Sequence, residues 1–366
     1  MRALWCSYAG LSEDELHNHL GCPRCIFSGL YLSIRENLTN RNGRLYFFHD
    51  YLKQTVEKKY LNDSENKITT HIKIATNFGE SLLTDIMEPI STVSEEYKSR
   101  RKRCLLEVLW QLSYCQQYSL LNLLLSLPSV TQLLYEICKV NLFKLWRVSC
   151  PKGIKRLAAQ NYIRECSWLL FQESTSYVED DVVIINPFVD EHVDSLISAN
   201  LKGLVDRIVV EERKIMSEWT LSARVTTVKL ISNVLVQSAE FLEGSQLLSM
   251  ALQSCESEEE RIGIIAEQAK VCLILSQFSK GIELCEPIVK SMQQECIPSV
   301  NPKRHKVSSS YYDVMYALAK LYSSNGQYPA ADPLFRKVLD HRISVDGENR
   351  PRTADVLSDI ARHKFL

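Results

Sequence analysis

From residue 221 onward, apolar positions recur with a helical period, interrupted at short intervals by turn residues. One pattern returns three times: Phe241-x-x-Gly244-x-x-x-Leu248, Phe278-x-x-Gly281-x-x-x-Cys285 and Tyr328-x-x-Ala331-x-x-x-Phe335, at offsets of 37 and then 50 residues. A small residue four places before a larger one lies one turn away on the same helix face. The stretch from Tyr311 to Leu366 carries the fullest version: Leu318-Ala319-x-x-Tyr322, Asn325-Gly326-x-Tyr328, Ala331-x-x-x-Phe335, and Ile360-Ala361 returning 42 residues after Leu318-Ala319. Small residues where two helices touch, bulky ones to fill the gap and a glycine turn define a helix–turn–helix stacking unit. Such a unit cannot bury its apolar face alone, so it builds a surface for holding other molecules, which points away from catalysis. The longer offset contains Ile297-Pro298-Ser299-Val300-Asn301-Pro302-Lys303-Arg304, read as an inserted loop. The last helix, Thr353 to about His363, carries Val356, Leu357 and Ile360 with no helix after it, which predicts an exposed apolar stripe or a frayed end; tight burial of Phe365 and Leu366 would count against truncation.

The beginning of the chain has a different rhythm. Ser12 with Glu15 three residues later is a capping box in front of Leu16 and Leu20. Asn42-Gly43 signals a tight turn, Leu45-Tyr46-Phe47-Phe48 a strand, and Asp50 to Tyr60 a helix. Helices, a short hairpin and another helix predict a winged-helix-like α+β module over residues 1–70. Residues 71–220 read as a helical connector. There Leu105, Leu106, Leu109, Leu112, Leu120, Leu121 and Leu124 form one buried face, Pro128 and Pro151-Lys152-Gly153 are breaks, and a helix runs from Ile154 to Leu170. Val182-Val183-Ile184-Ile185 is a strand or an apolar linker. Residues 221–366 are the repeats: three units and the first helix of a fourth. The predicted fold is therefore mainly α.

On these motifs the chain resembles the tetratricopeptide repeat superfamily, in the long-period form of kinesin light chains and nephrocystin-3. Arg350-Pro351-Arg352-Thr353-Ala354 looks like that family's His-Pro-x-Thr-Ala link, with Arg350 replacing the His, and Pro333 departs from its pattern. Gly10-Leu11-Ser12-Glu13-Asp14-Glu15-Leu16, Gly43 to Leu52, Tyr60-Leu61, His71 and Leu106 to Leu112 are similar to the segment behind the NTPase of nephrocystin-3-like signalling ATPases. The resemblance implies an α-solenoid that binds protein or peptide through its groove, in a truncated member of that ATPase class. It assigns Leu318, Ala319, Tyr322, Gly326, Tyr328, Ala331, Phe335, Ile360 and Ala361 to packing between repeats. The sequence has no Gly-x-x-x-x-Gly-Lys-[Ser/Thr], hence no phosphate cradle of that type.

Composition narrows the rest. Apolar residues at 45% and charged residues at 24% are ordinary for a globular chain. With 43 basic and 44 acidic side chains, no net field draws it to nucleic acid or anionic lipid. Neither a secretory leader nor a membrane-spanning apolar run is read, so the chain is expected in the cytoplasm with its 12 cysteines reduced. Cys22-Pro23-Arg24-Cys25 with His17 and His19 is a possible zinc cluster, outweighed by ordinary thiols because zinc sites draw ligand pairs from separated segments. His49-Asp50, with His71 and Asp63 or Asp85, is the alternative enzyme reading, a metal-dependent nucleotide phosphohydrolase; helix capping by Asp50 is preferred. Lys98-Ser99-Arg100-Arg101-Lys102-Arg103, flanked by Glu95, Glu96 and Glu107, reads as a solvated helix face rather than an import or polyanion element. Lys320, Arg336, Arg342, Arg350 and Arg352 suit an acidic or carboxylate-terminated peptide. The expectation is a non-enzymatic scaffold without metal, cofactor or small-molecule substrate, partnered by proteins or peptides rather than nucleic acid or membrane.

Overall fold

The computed structural model describes residues 1–87, 95–135, 142, 155–171, 195–295, 309–348 and 350–365. The Pro151-Lys152-Gly153 break, the run 182–185, the loop 297–304 and Leu366 lie outside the described residues. The described residues are mainly helical, with one two-stranded sheet. They divide into two compact units, Met1–Glu165 with Ser174–Glu218, and Cys166–Glu173 with Trp219–Leu366.

The first unit opens with α1 (Arg2–Cys6), α2 (Glu13–Leu20) and α3 (Arg24–Ile34), then the strands β1 (Leu38–Arg41) and β2 (Arg44–Phe47) and α4 (Asp50–Tyr60). The capping box forms as the sequence predicts: the Ser12 hydroxyl accepts from Glu15 N at 3.0 Å and Ser12 N donates to Glu15 Oε2 at 2.8 Å. Asn42 and Gly43 both take positive φ, 54° and 78°, as the two-residue hairpin turn between twisted strands requires. Leu11 adds a single antiparallel bridge to Leu45, with Leu45 N donating to Leu11 O at 2.8 Å. Asp50 occupies the first turn of α4; the cap position is His49, whose side chain makes no capping bond. The carboxylate therefore acts on the helix only through the positive end of its dipole.

Residues 1–70 share one core with the helices that come after them. The long helices α5 (Ser64–Met87) and α6 (Glu95–Tyr114) pack along each other, α1 lies on α5, and α7 (Tyr118–Ser126) succeeds α6. Leu105, Leu109, Leu112, Leu120, Leu121 and Leu124 are buried as their spacing predicts, while Leu106 is half-buried. Each fully buried leucine contributes about 1.5–3 kcal/mol. Leu127 ends α7 and Pro128 opens a new helical segment, where its missing N–H costs nothing. The helices α8 (Lys155–Phe171) and α9 (Ser195–Ser217) come next, α9 lying on α5.

The second unit holds α10 (Leu221–Gln237), α11 (Phe241–Ser254), α12 (Glu258–Ile274), α13 (Phe278–Glu295), α14 (Ser309–Ser324), α15 (Tyr328–Asp346) and α16 (Pro351–Phe365). Consecutive helices pack as hairpins, and α12, α14 and α16 also touch in succession. The repeat pattern has a backbone cause. Ala239, Ser276 and Gly326 each take left-handed φ, 70°, 56° and 76°, one residue before the cap of the next helix. In each turn the following N–H reaches five residues back, from Glu240 to Leu235, Gln277 to Cys272 and Gln327 to Tyr322, at 2.8–2.9 Å. The left-handed residue's own N–H reaches three back, to Val236, Leu273 and Ser323. These are the paired bonds of a Schellman ending. Gln116, at φ 56°, makes the same two bonds between α6 and α7, so the first unit contains a hairpin of the same build.

Only Gly326 escapes the steric cost of left-handed backbone, about 1–2 kcal/mol for other residues. A Cβ on Gly326 would meet nothing within 4 Å, so strain alone separates the variants. Ala239→Gly should raise stability by about 0.5–1 kcal/mol and Gly326→Ala lower it by about the same, the greater freedom of unfolded glycine offsetting part of each. Thermal melting of the two variants checks the sign; equal shifts in one direction would refute the turn assignment.

Candidate functional site

Counting from the left-handed residue places the small residues at two fixed positions. Seven before it stand Ser232, Ala269 and Ala319, each 0% exposed, and five after it stand Gly244, Gly281 and the fully buried Ala331. A Cβ on Gly281 would fall 2.7 Å from Leu321 and 3.1 Å from Cys272 Cβ, and one on Gly244 would fall 3.2 Å from Ser232 O. Leu318 and Phe335 are buried with them, Tyr322 and Ile360 pack at the edge of the same core, and Gly326 and Tyr328 sit exposed at the turn. Ala361, expected to press on a neighbouring helix, is exposed, because the face that carries it meets no helix among the described residues. Val356 and Ile360, expected to lack a partner, instead pack into the core of the second unit.

The helices α12, α14 and α16, with Arg342 of α15, line a cleft of about 670 Å³. Its wall is apolar at Leu273, Ile274, Tyr316, Ala317 and Val356, and charged at Glu267, Lys270, Asp313, Lys320, Arg342, Arg352 and Asp355. The Tyr316 hydroxyl donates to Asp359 Oδ2 at 2.5 Å, and the Lys320 ammonium stands 2.9 Å from the same oxygen and 5.3 Å from the Tyr316 ring. Burial opposes ionisation of Asp359, but the Tyr316 hydroxyl and Lys320 ammonium outweigh it and hold its carboxyl below the usual range. Burial, reinforced by the bond to Asp359, pushes the Tyr316 phenol above its usual range.

The basic residues expected to face a peptide are not equivalent. Arg342, 5% exposed at its side chain, is not free for a ligand: it pairs with Asp313 and lies 3.8 Å from Asp346. Lys320 is held by Asp359, and Arg336 and Arg350 are exposed but outside the cleft lining. Arg352 alone of the five lines the cleft without an ion pair among the described residues. The wall is thus close to electroneutral rather than basic.

The other candidates separate in space. His17 stands edge-on to Phe27 at 5.1 Å, His19 faces Asn77 at 3.3 Å, Cys22 is half-buried and Cys25 exposed. His49 and Asp50 are exposed, Asp63 bonds the Asn66 amide, Asp85 pairs with Arg100, and His71 is buried against Gln111. Among the described residues no three His, Cys, Asp or Glu side chains are placed to hold a metal ion. Burial pushes the thiols of Cys6, Cys104, Cys115 and Cys285 up to about 12, so these behave as core hydrophobes.

The basic run at 98–103 is a solvated face only in its first half: Lys98, Ser99 and Arg100 are exposed, Arg101 and Lys102 half-buried and Arg103 buried. Arg100 pairs with Asp85, Arg101 with Glu212 at 2.5 Å, and Arg103, 9% exposed, with the fully buried Glu107. Sequence reasoning missed this because most of the partners come from other helices. No helix among the described residues is long and apolar enough to cross a membrane. Comparison with protein-family models, curated proteins and solved structures gives no match.

Proposed function

We propose that the second unit is a tetratricopeptide-like solenoid whose cleft holds an extended peptide segment of a protein partner. The observation that carries this reading is the cleft itself: three successive first helices of hairpins, with Arg342 of α15, line it with apolar and ionic side chains, and Arg352 makes no ion pair among the described residues. Its near balance of charge favours a peptide of mixed charge over a strongly acidic one. The repeated turn and the small residues at matched positions support the solenoid assignment.

The first unit is read as a winged-helix-like packing module joined to further helices. Its order supports this: a helix, the short Leu11 bridge, two helices and a hairpin that pairs with Leu11. Its third helix is unsuited to nucleic acid. Ile26, Leu30 and Leu32 are exposed on it, and its single basic residue, Arg24, is paired with Asp14 at 2.7 Å. On this reading the chain is a non-enzymatic scaffold of nephrocystin-3-like type.

The test pans a peptide library against the full chain. Ile274→Asp and Arg352→Glu should each weaken captured peptides about tenfold, or ~1.4 kcal/mol, while Arg336→Glu leaves them unchanged. Equal binding by all three variants would remove the cleft from the mechanism.

A further inference from the structure

The helix α16 uses one face against its own unit. Val356 and Ile360 join the core, and His363 ties the helix down, its Nδ1 2.9 Å from Ser323 Oγ and its Nε2 3.3 Å from Asp332 Oδ1. One position further round, Ala354, Leu357 and Ala361 are exposed, Leu357 by 47%. Their counterparts 42 residues earlier on α14 include Met315 and Ala319, 2% and 0% exposed in a core shared with Ala331, Phe335 and Val338 of α15. Ser232 on α10 and Ala269 on α12 occupy the position of Ala319 and are equally covered.

The protein therefore shows three times what fits such a face. It is an amphipathic helix with an aromatic residue three places before a Gly or Ala and a larger residue four places after it: Phe241, Gly244 and Leu248; Phe278, Gly281 and Cys285; Tyr328, Ala331 and Phe335. Charge adds a fourth requirement. Asp313 of α14 receives Arg342 from the covering helix, eleven residues after Ala331. Asp355 stands at the position of Asp313 on α16, exposed and in no ion pair among the described residues.

We propose that this face of α16 binds an amphipathic α-helix of a partner protein, with a Gly or Ala set against Ala361 and a basic residue eleven places later set against Asp355. Burial of Leu357 and close approach at Ala361 supply the attraction, and the Asp355 pair fixes register. Asp355 also lines the peptide cleft, but Leu357 and Ala361 lie outside its lining, so Ala361→Glu tests this face separately from the cleft.

A synthetic peptide with the sequence of residues 327–346, added to the full chain, is the probe, read by fluorescence anisotropy. Saturable binding is expected, weakened at least tenfold by Ala361→Glu, or ~1.4 kcal/mol. Asp355→Lys in the chain should also weaken it, and Arg342→Glu in the peptide should restore binding to that variant but not to the unaltered chain. Ile274→Asp, in the cleft, should leave it unchanged. Because Ala361 and Asp355 are exposed, circular dichroism of the variants should match the parent. Absence of binding, or equal binding by Ala361→Glu, overturns the proposal. So does a concentration-dependent dimer that Ala361→Glu dissolves, which would give the face to a second copy.

Discussion

Glu107→Ala should lower the unfolding free energy by about 3–5 kcal/mol, the loss expected when one partner of a buried charge pair is removed. Glu107 is 0% exposed and its carboxylate holds three groups. Oε1 accepts from Tyr8 N at 2.8 Å and from Gln111 Nε2 at 2.7 Å, and Oε2 meets Arg103. Gln111 Nε2 also donates to Cys6 O at 3.0 Å, so its Oε1 is an acceptor and His71 Nδ1, 2.5 Å away, carries the proton. Burial holds that imidazole below its ordinary range, in keeping with a neutral ring stacked on Tyr114 at 4.7 Å. Removing Glu107 would strand the Arg103 guanidinium, leaving it the Gly10 carbonyl at 2.6 Å and Glu15 at 3.5 Å. Replacing both members, Arg103→Met with Glu107→Leu, should recover most of the loss. Urea denaturation of the two variants decides it: a single variant within about 1 kcal/mol of the parent would show the network to be dispensable.

The second large effect belongs to Gly10→Ala, expected to cost about 2–4 kcal/mol from left-handed backbone and a crowded Cβ together. Gly10 has φ +68°, and a Cβ there would fall 2.7 Å from Leu45 O and 2.8 Å from Tyr46 Cζ. Neither neighbour can retreat, since Leu45 is paired with Leu11 and the Tyr46 hydroxyl is bonded to Ala9 O at 2.7 Å. Gly43→Ala is the control. Its φ is +78° but nothing lies within 4 Å, so like Gly326→Ala it should lose only about 0.5–1 kcal/mol. Similar melting shifts for the two would refute the clash.

How much the sequence disclosed depends on range. The capping box at Ser12, the Asn42-Gly43 turn and the helix from Asp50 to Tyr60 are set by residues within a few positions of one another, and each forms as read. The matched small residues were legible as spacing, although the turn that aligns them was not, because Gln116, Ala239 and Ser276 occupy a position where only Gly326 advertises positive φ. Arg103, Arg101 and Arg342 looked like surface cations. Glu107 stood four residues from Arg103 but read only as a flanking charge, whereas Glu212 and Asp313, at separations of 111 and 29 residues from Arg101 and Arg342, carry no sequence signal. Ala361 misled for the opposite reason: its spacing matches Ala319, but spacing does not report whether a neighbour is present. In the cleft, Lys320 and Arg352 were legible as charges, whereas the Tyr316–Asp359–Lys320 arrangement that occupies one of them was not.

The turn at Gln116 has a consequence for how such hairpins could be recombined. Its bonds match those at Ala239, Ser276 and Gly326, yet the residues seven before and five after it are Leu109 and Leu121, both fully buried. Backbone geometry at the bend is thus independent of side-chain volume at the crossing, and it is volume that sets the distance between helix axes, within about 8–10 Å. Grafting leucine at Ala269 and Gly281 would keep the bend while widening the wedge, and small changes per hairpin accumulate along an array as superhelical curvature.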